Sequence, residues 1–136
     1  MTVRAAAADD LAAIAAIQEA SPEASQWGPA SYLDYECSVA MRGARVAGFL
    51  VVRQVAPDER EILNLAVDPV ERRQGVARKL LETELRRAKM QWFLEVRASN
   101  SSAIRLYEST GFREAGRRES YYSNPAEAGI VMKFNS

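Results

Sequence analysis

The stretch FLEVRASNSSAIRLYESTGF, residues 93–112, spaces a glutamate, an asparagine and a tyrosine at Glu95, Asn100 and Tyr107. A carboxylate can take a proton and a phenol can give one. The segment between them passes from an apolar, strand-like start to a helix-like end. The chain contains no histidine. The usual general base, the Ser–His and Cys–His nucleophile pairs and the commonest metal ligand are therefore missing together. Proton transfer, if there is any, falls to Glu, Asp, Tyr, Lys, Cys or water. Plainer readings stand beside this one. A glutamate in a strand is most often an exposed or salt-bridged residue, and a tyrosine just before Gly111-Phe112 is most often core packing.

A second stretch, ILNLAVDPVERRQGVARKLL (62–81), has the makings of an anion site. Arg72, Arg73, Gln74, Gly75, Val76 and Ala77 fall between a strand and a helix. The first amides of a helix lack intrahelical acceptors, and the helix dipole favours an anion there. Gly75 lets a ligand approach the backbone closely, and Ala77 keeps the next contact small. Arg72, Arg73, Arg78 and Lys79 add positive charge suited to a diphosphate. An ordinary strand-to-helix turn with a basic, solvated face explains the same spacing.

The elements that must position these residues follow from period and punctuation. Residues 2–4 suit a short strand. Asp9 or Asp10 caps a helix whose stripe is Leu11, Ile14, Ala15 and Ile17, and Ser21-Pro22 ends it. SPEASQWGPAS (21–31) reads as loop, with a short helix including Tyr32 to Tyr35. Cys37–Met41, Ala44–Val55 and Glu61–Val67 read as strands of an antiparallel meander, with turns at Arg42-Gly43 and Pro57-Asp58. From Gly75 the period becomes helical, with Val76, Leu80, Leu81 and Leu85 on one stripe, and the helix runs to near Met90. Trp92 to Val96 suit a short strand buried by helices on both faces. Strand, helix and strand over 61–97 form a crossover, which makes the outer two strands parallel. Asn100 or Ser101 caps a helix that reaches about Ser109 and stops at Gly111. Phe112–Arg118 and Gly129–Phe134 close the chain as an antiparallel pair around a polar loop at 121–128.

The length of 136 residues suits one domain over 1–136, and no repeat or linker divides it. Lys+Arg and Asp+Glu are 18 each, so the formal charge is zero, which argues against a nucleic-acid module working through bulk charge. Cys37 is the only cysteine. It excludes an internal disulfide and a thiolate cluster, reads as a small buried hydrophobe and fits a reducing cytoplasm. No signal peptide or membrane span is expected from the short apolar runs.

AVDP followed by RRQGVARKLL resembles the acetyl-CoA-binding motif of the GNAT superfamily of N-acetyltransferases. Together with LEVRASN and AIRLYESTGF it is most similar to the bacterial ribosomal-protein-alanine N-acetyltransferases of the RimI type. The likeness spans nearly the whole chain, strongest from Glu61 to about Tyr122. It implies an α/β (α+β) GNAT fold: a mixed, mostly antiparallel sheet of about seven strands with a splayed parallel pair, flanked by about four helices. It implies acetyl-CoA as cosubstrate and no metal. Leu65, Ala66 and Val67 match the strand whose backbone pairs with the pantetheine arm, a bulge splaying that strand from its parallel neighbour. Arg73 to Arg78 match the diphosphate cradle, and Asn100 a contact near the thiol. Ala77 stands where the pattern has a second glycine, an alternative the pattern allows. The connection RRAKMQWF lacks the family's usual glycine.

Acyl transfer to an amine needs a base for the ammonium and a proton donor for the departing thiolate. Under the resemblance Glu95 matches the base, acting most simply through water, and Tyr107 the acid. The acceptor side maps to the loop around Trp27 to Tyr35 and to Tyr121, Tyr122 and Ser123, with Trp27, Tyr32 and Tyr122 as walls of a narrow slot. Asp34 and Glu36 would attract a basic peptide. The implied acceptor is the N-terminal alanine of a small-subunit ribosomal protein, handled by a cytoplasmic monomer or homodimer without direct contact to nucleic acid or membrane. A small-molecule amine, a lysine side chain, or a CoA-binding module without turnover are the alternatives.

Overall fold

The computed structural model describes residues 1–21, 32, 34–87, 89–122 and 127–135. Seven strands form a single sheet: β1 (Thr2–Ala5), β2 (Glu36–Arg42), β3 (Arg45–Ala56), β4 (Glu59–Val67), β5 (Gln91–Arg97), β6 (Arg113–Tyr122) and β7 (Glu127–Asn135). Their spatial order is β1-β2-β3-β4-β5-β7-β6. Only β4 and β5 run parallel, as a crossover through a helix requires.

The described helices are α1 (Leu11–Glu19), α2 (Val76–Leu85) and α3 (Ser101–Ser109). They cover the two faces of the sheet. Ile14 and Ile17 of α1 join Val39, Phe49 and Val51 in one core, while Val76, Leu80, Leu81 and Leu85 of α2 and Tyr107 of α3 join Leu50, Val52, Leu94 and Ile130 in the other. Strand β3 alternates between the two cores, so its central residues are buried on both sides. None of the described helices is long and apolar enough to cross a membrane.

The caps are local. Asn100 accepts from the Ala103 amide at 3.3 Å and so closes the N-terminus of α3. Gly111, with φ of +112°, follows the C-cap Thr110, in the left-handed role that stops a helix. Asp10 is the N-cap of α1 but makes no capping bond to that helix. Its carboxylate instead accepts from the Ala7 amide and pairs with Arg4 at 2.7 Å, which ties β1 to the helix start.

Several boundaries differ from expectation. Helix α2 stops at Leu85, not near Met90. Past that point Arg86 and Arg87 offer no apolar face, and the Arg87 amide bonds three residues back, to Glu84, as a tightened final turn does. Of the residues expected in the 121–128 loop, Tyr121 and Tyr122 belong to β6 and Glu127 and Ala128 to β7. Tyr32 and Asp34, within the helix expected to include Tyr32 to Tyr35, are 3-10 residues, and three α-helices lie among the described residues where about four were expected over the chain. Strand β5 is not buried on both faces. Trp92, Leu94 and Val96 enter the core, whereas Phe93, Glu95 and Arg97 on the other face are only half-buried.

Candidate active site

The parallel ladder between β4 and β5 is short. Glu59 pairs with Gln91, Arg60 with Trp92 and Glu61 with Phe93, and there it ends. On its other side β4 stays paired with β3, but with one irregularity: Val52 faces Ile62 and Val51 faces Asn64, leaving Leu63 as an extra residue. Such a bulge bends its strand and raises the local twist. Strand β5, meanwhile, remains paired with β7 from Gln91 to Arg97. The two parallel strands therefore separate, and their C-terminal halves wall a cleft of about 1000 Å³.

One wall is β4, with Leu65, Ala66 and Val67; the other is β5, with Glu95 and Arg97. The start of α2 contributes Arg72, Arg73, Gly75, Val76, Ala77 and Arg78, and α3 contributes Asn100 and Tyr107. Tyr122 reaches in from β6. The cleft thus gathers thirteen of the residues singled out from sequence. Gln74 is not among them; it is an exposed bend residue of the turn. Tyr32 is a second correction. It is fully buried beside Phe49 at a ring separation of 5.4 Å, and its hydroxyl receives a hydrogen bond from Asn64 at 3.1 Å. It belongs to the core under α1, not to a slot wall. Trp27 and Ser123 lie outside the described residues.

The geometry at the start of α2 suits an anion. The first hydrogen bond of the helix runs from the Lys79 amide to the Gly75 carbonyl at 2.9 Å. The amides of Val76, Ala77 and Arg78 have no acceptor inside the helix. Gly75 has φ of +80°, and a Cβ there would meet no protein atom within 4 Å. Among the described residues Arg73, also left-handed at φ of +64°, is the non-glycine residue that carries this conformation. Strain of this kind concentrates at ligand-binding turns. The turn is anchored from behind by Glu71, a buried carboxylate that accepts from Arg42 at 2.6 Å. Arg78 donates to Ser109 of α3 at 2.6 Å, which braces the cradle against the helix that carries Tyr107.

Tyr107 is 7% exposed and packs edge-on against Phe112. Burial, reinforced by the neighbouring Tyr122, pushes its phenol well above the ordinary range. The phenol is neutral throughout the physiological range. Glu95 lies on the neighbouring strand β5. One carboxylate oxygen, Oε1, lies 3.4 Å from Arg118. The other, Oε2, is buried without a hydrogen-bond partner among the described residues, a costly arrangement that a ligand or water would relieve. Tyr122 lies close enough for Glu95 to raise its phenol, after the larger effect of burial. Cys37 sits in the core under α1, and burial pushes its thiol up to about 12. It is inert at neutral pH.

Sequence reasoning missed four contributors. Asn64 lines the cleft, and its Oδ1 accepts from the Leu65 amide at 3.0 Å. Glu71 holds the cradle. Arg97 and Gly129 flank Tyr122. Arg97 was within reach, because it lies two residues after Glu95 and so shares its strand face. The other three carry no local signal; their roles arise from pairings distant in the chain.

Residues 7–112 match the model of the Acetyltransferase (GNAT) family. The chain is 43% identical over 108 residues to the ribosomal protein bS18-alanine N-acetyltransferase of Escherichia coli K12, covering 74% of this chain and 70% of that one. The crystal structure of the Escherichia coli ribosomal-protein-alanine enzyme superposes with a TM-score of 0.83 at 34% identity, covering 98% of this chain and 92% of that one. Ard1 from Thermoplasma volcanium superposes with a TM-score of 0.88 at 28% identity, over 98% and 96% of the two chains.

Proposed function

The chain belongs to the GNAT family of acetyl-CoA-dependent N-acetyltransferases, and from that premise we propose that it acetylates the α-amino group of an N-terminal alanine. The acceptor would be a small-subunit ribosomal protein, the kind of substrate named for its bS18-alanine relative. The observation that carries this reading is the cleft itself. The glycine turn at Gly75, a splayed β4 edge and the side chains of Glu95 and Tyr107 open into one space.

The residues present fit acetyl-CoA. The amides of Val76, Ala77 and Arg78 and the surrounding cations would hold the diphosphate. Beyond Glu61 the side of β4 that faced β5 has no strand partner, and the pantetheine amides would pair there. The same edge would polarise the thioester carbonyl near Val67. Asn100, at the cap of α3, would touch the thiol end.

The acceptor amine arrives as an ammonium. Glu95 Oε2 takes its proton, through a water, and the free amine attacks the thioester carbon. A C–N bond forms, the C–S bond breaks, and the acylated nitrogen gives up its second proton to water. Tyr107 gives its proton to the departing thiolate and regains one from solvent. Acetyl transfer is direct, with both substrates bound, and Cys37 carries no acyl group. Tyr122 walls the amine slot.

The test is turnover of acetyl-CoA across N-terminal peptides and small amines. Preferred acetylation of basic peptides that begin with Ala is expected. Activity confined to small amines or lysine side chains would replace this acceptor, and no turnover with any amine would leave a CoA-binding module.

A further inference from the structure

Arg97 ends β5 two residues after Glu95, and the chemistry above gives it no task. Its Nη1 donates to Glu127 Oε1 at 3.0 Å, and its guanidinium carbon lies 4.4 Å from the centroid of the Tyr122 ring. Glu127 is itself held in place. It accepts from the Ser99 amide and the Ser99 hydroxyl, each at 3.1 Å. Glu127 also stands opposite Tyr122 in the β6–β7 register.

The Tyr122 ring is confined from another side as well. A Cβ on Gly129 would stand 3.3 Å from Tyr122 Cε2 and 3.3 Å from Glu95 Oε2. The missing side chain lets the ring edge and the unpartnered carboxylate oxygen lie over the same glycine. A planar guanidinium that donates to a carboxylate through one nitrogen still presents its flat face to an aromatic ring.

We propose that Arg97 is a positioning residue: anchored by Glu127, it holds Tyr122 as the wall of the amine slot beside Glu95. The claim rests on Tyr122 belonging to the acceptor site. Pairing with Arg97 also neutralises Glu127, so that Glu95 Oε2 is the carboxylate oxygen presented to an incoming ammonium. Acceptor binding depends on Arg97, and acetyl-CoA binding does not.

The test measures peptide KM, kcat and CoA affinity for Arg97→Met, Arg97→Lys, Tyr122→Ala and the Arg97→Met/Tyr122→Ala pair, using a basic peptide that begins with Ala. Arg97→Met is expected to raise peptide KM about tenfold with CoA affinity within about twofold, the scale of a lost cation–aromatic contact. In the Tyr122→Ala background the same substitution should add little, because the two residues act as a unit. Arg97→Lys keeps the charge but loses the planar face, so it should recover only part of the loss. It carries the test alone if Arg97→Met does not fold. An unchanged peptide KM, a fall in CoA affinity instead, or equal effects in both backgrounds overturns the inference. A Tyr122→Ala variant with unchanged peptide KM overturns the acceptor-site reading itself, a separate failure.

Discussion

Glu61 of β4 and Phe93 of β5 form the last rung of the parallel ladder. Two residues beyond Glu61 the bulge at Leu63 bends β4 toward β3, while β5 stays with β7. An open sheet presents its ligand site at the C-terminal ends of its parallel strands. Here that site is enlarged because the strands stop pairing before they end. The backbone groups of Leu65 to Val67 then face a cleft instead of a neighbouring strand.

Tyr107→Phe should lower kcat by roughly 10²-fold or more, the scale of a lost general acid, and leave CoA affinity unchanged. Because burial raises the phenol far above its ordinary value, the donor form persists as pH rises. Wild-type kcat should therefore show no loss from Tyr107 up to about pH 10. Steady-state kinetics across pH checks both points.

Glu95→Gln should lower kcat/KM for the peptide by roughly 10²-fold. Stability should change by less than about 1 kcal/mol, because the pairing with half-exposed Arg118 is weak. Thermal melts beside peptide kinetics would separate the two effects; an equal loss of fold would sink the catalytic role.

Gly75→Ala forces a side chain into a left-handed conformation at φ of +80°. The expected cost is about 1–2 kcal/mol of stability, with a raised KM for acetyl-CoA. Denaturant titration and acetyl-CoA kinetics test the pair; an unchanged acetyl-CoA KM would detach this turn from the cosubstrate.

Three carboxylates are held below their usual range by arginine: Asp10 by Arg4, Asp68 by Arg45 and Glu127 by Arg97. A depressed folded pKa contributes stability above the unfolded value, near 4, and loses it as pH falls through the folded value. The urea midpoint should fall as pH drops below about 4. Asp10→Asn should make that fall shallower, as urea titrations at pH 7 and pH 3 would show.

Tyr32→Phe should cost about 1 kcal/mol of stability through the lost bond to Asn64, while peptide KM stays unchanged. A raised peptide KM would return Tyr32 to the acceptor site.

What the chain determines by itself is local. The helical stripe of Val76, Leu80, Leu81 and Leu85, the cap at Asn100 and the stop at Gly111 depend on residues a few positions apart, and period and cap chemistry report such neighbours directly. The glycine turn at the start of α2 was legible for the same reason. The family resemblance carried by that turn, with the LEVRASN and LYESTGF stretches, is what pointed to Glu95 and Tyr107. Tertiary structure decided the rest. Tyr32 had the composition of a slot wall, but its burial depends on α1 packing over β3. Glu95 Oε2 lies over Gly129 because β7 pairs with β5. Glu127 meets Arg97 across 30 positions of chain. Such contacts are set by which strands pair and where pairing stops, and a one-dimensional pattern holds no record of the partner across the sheet.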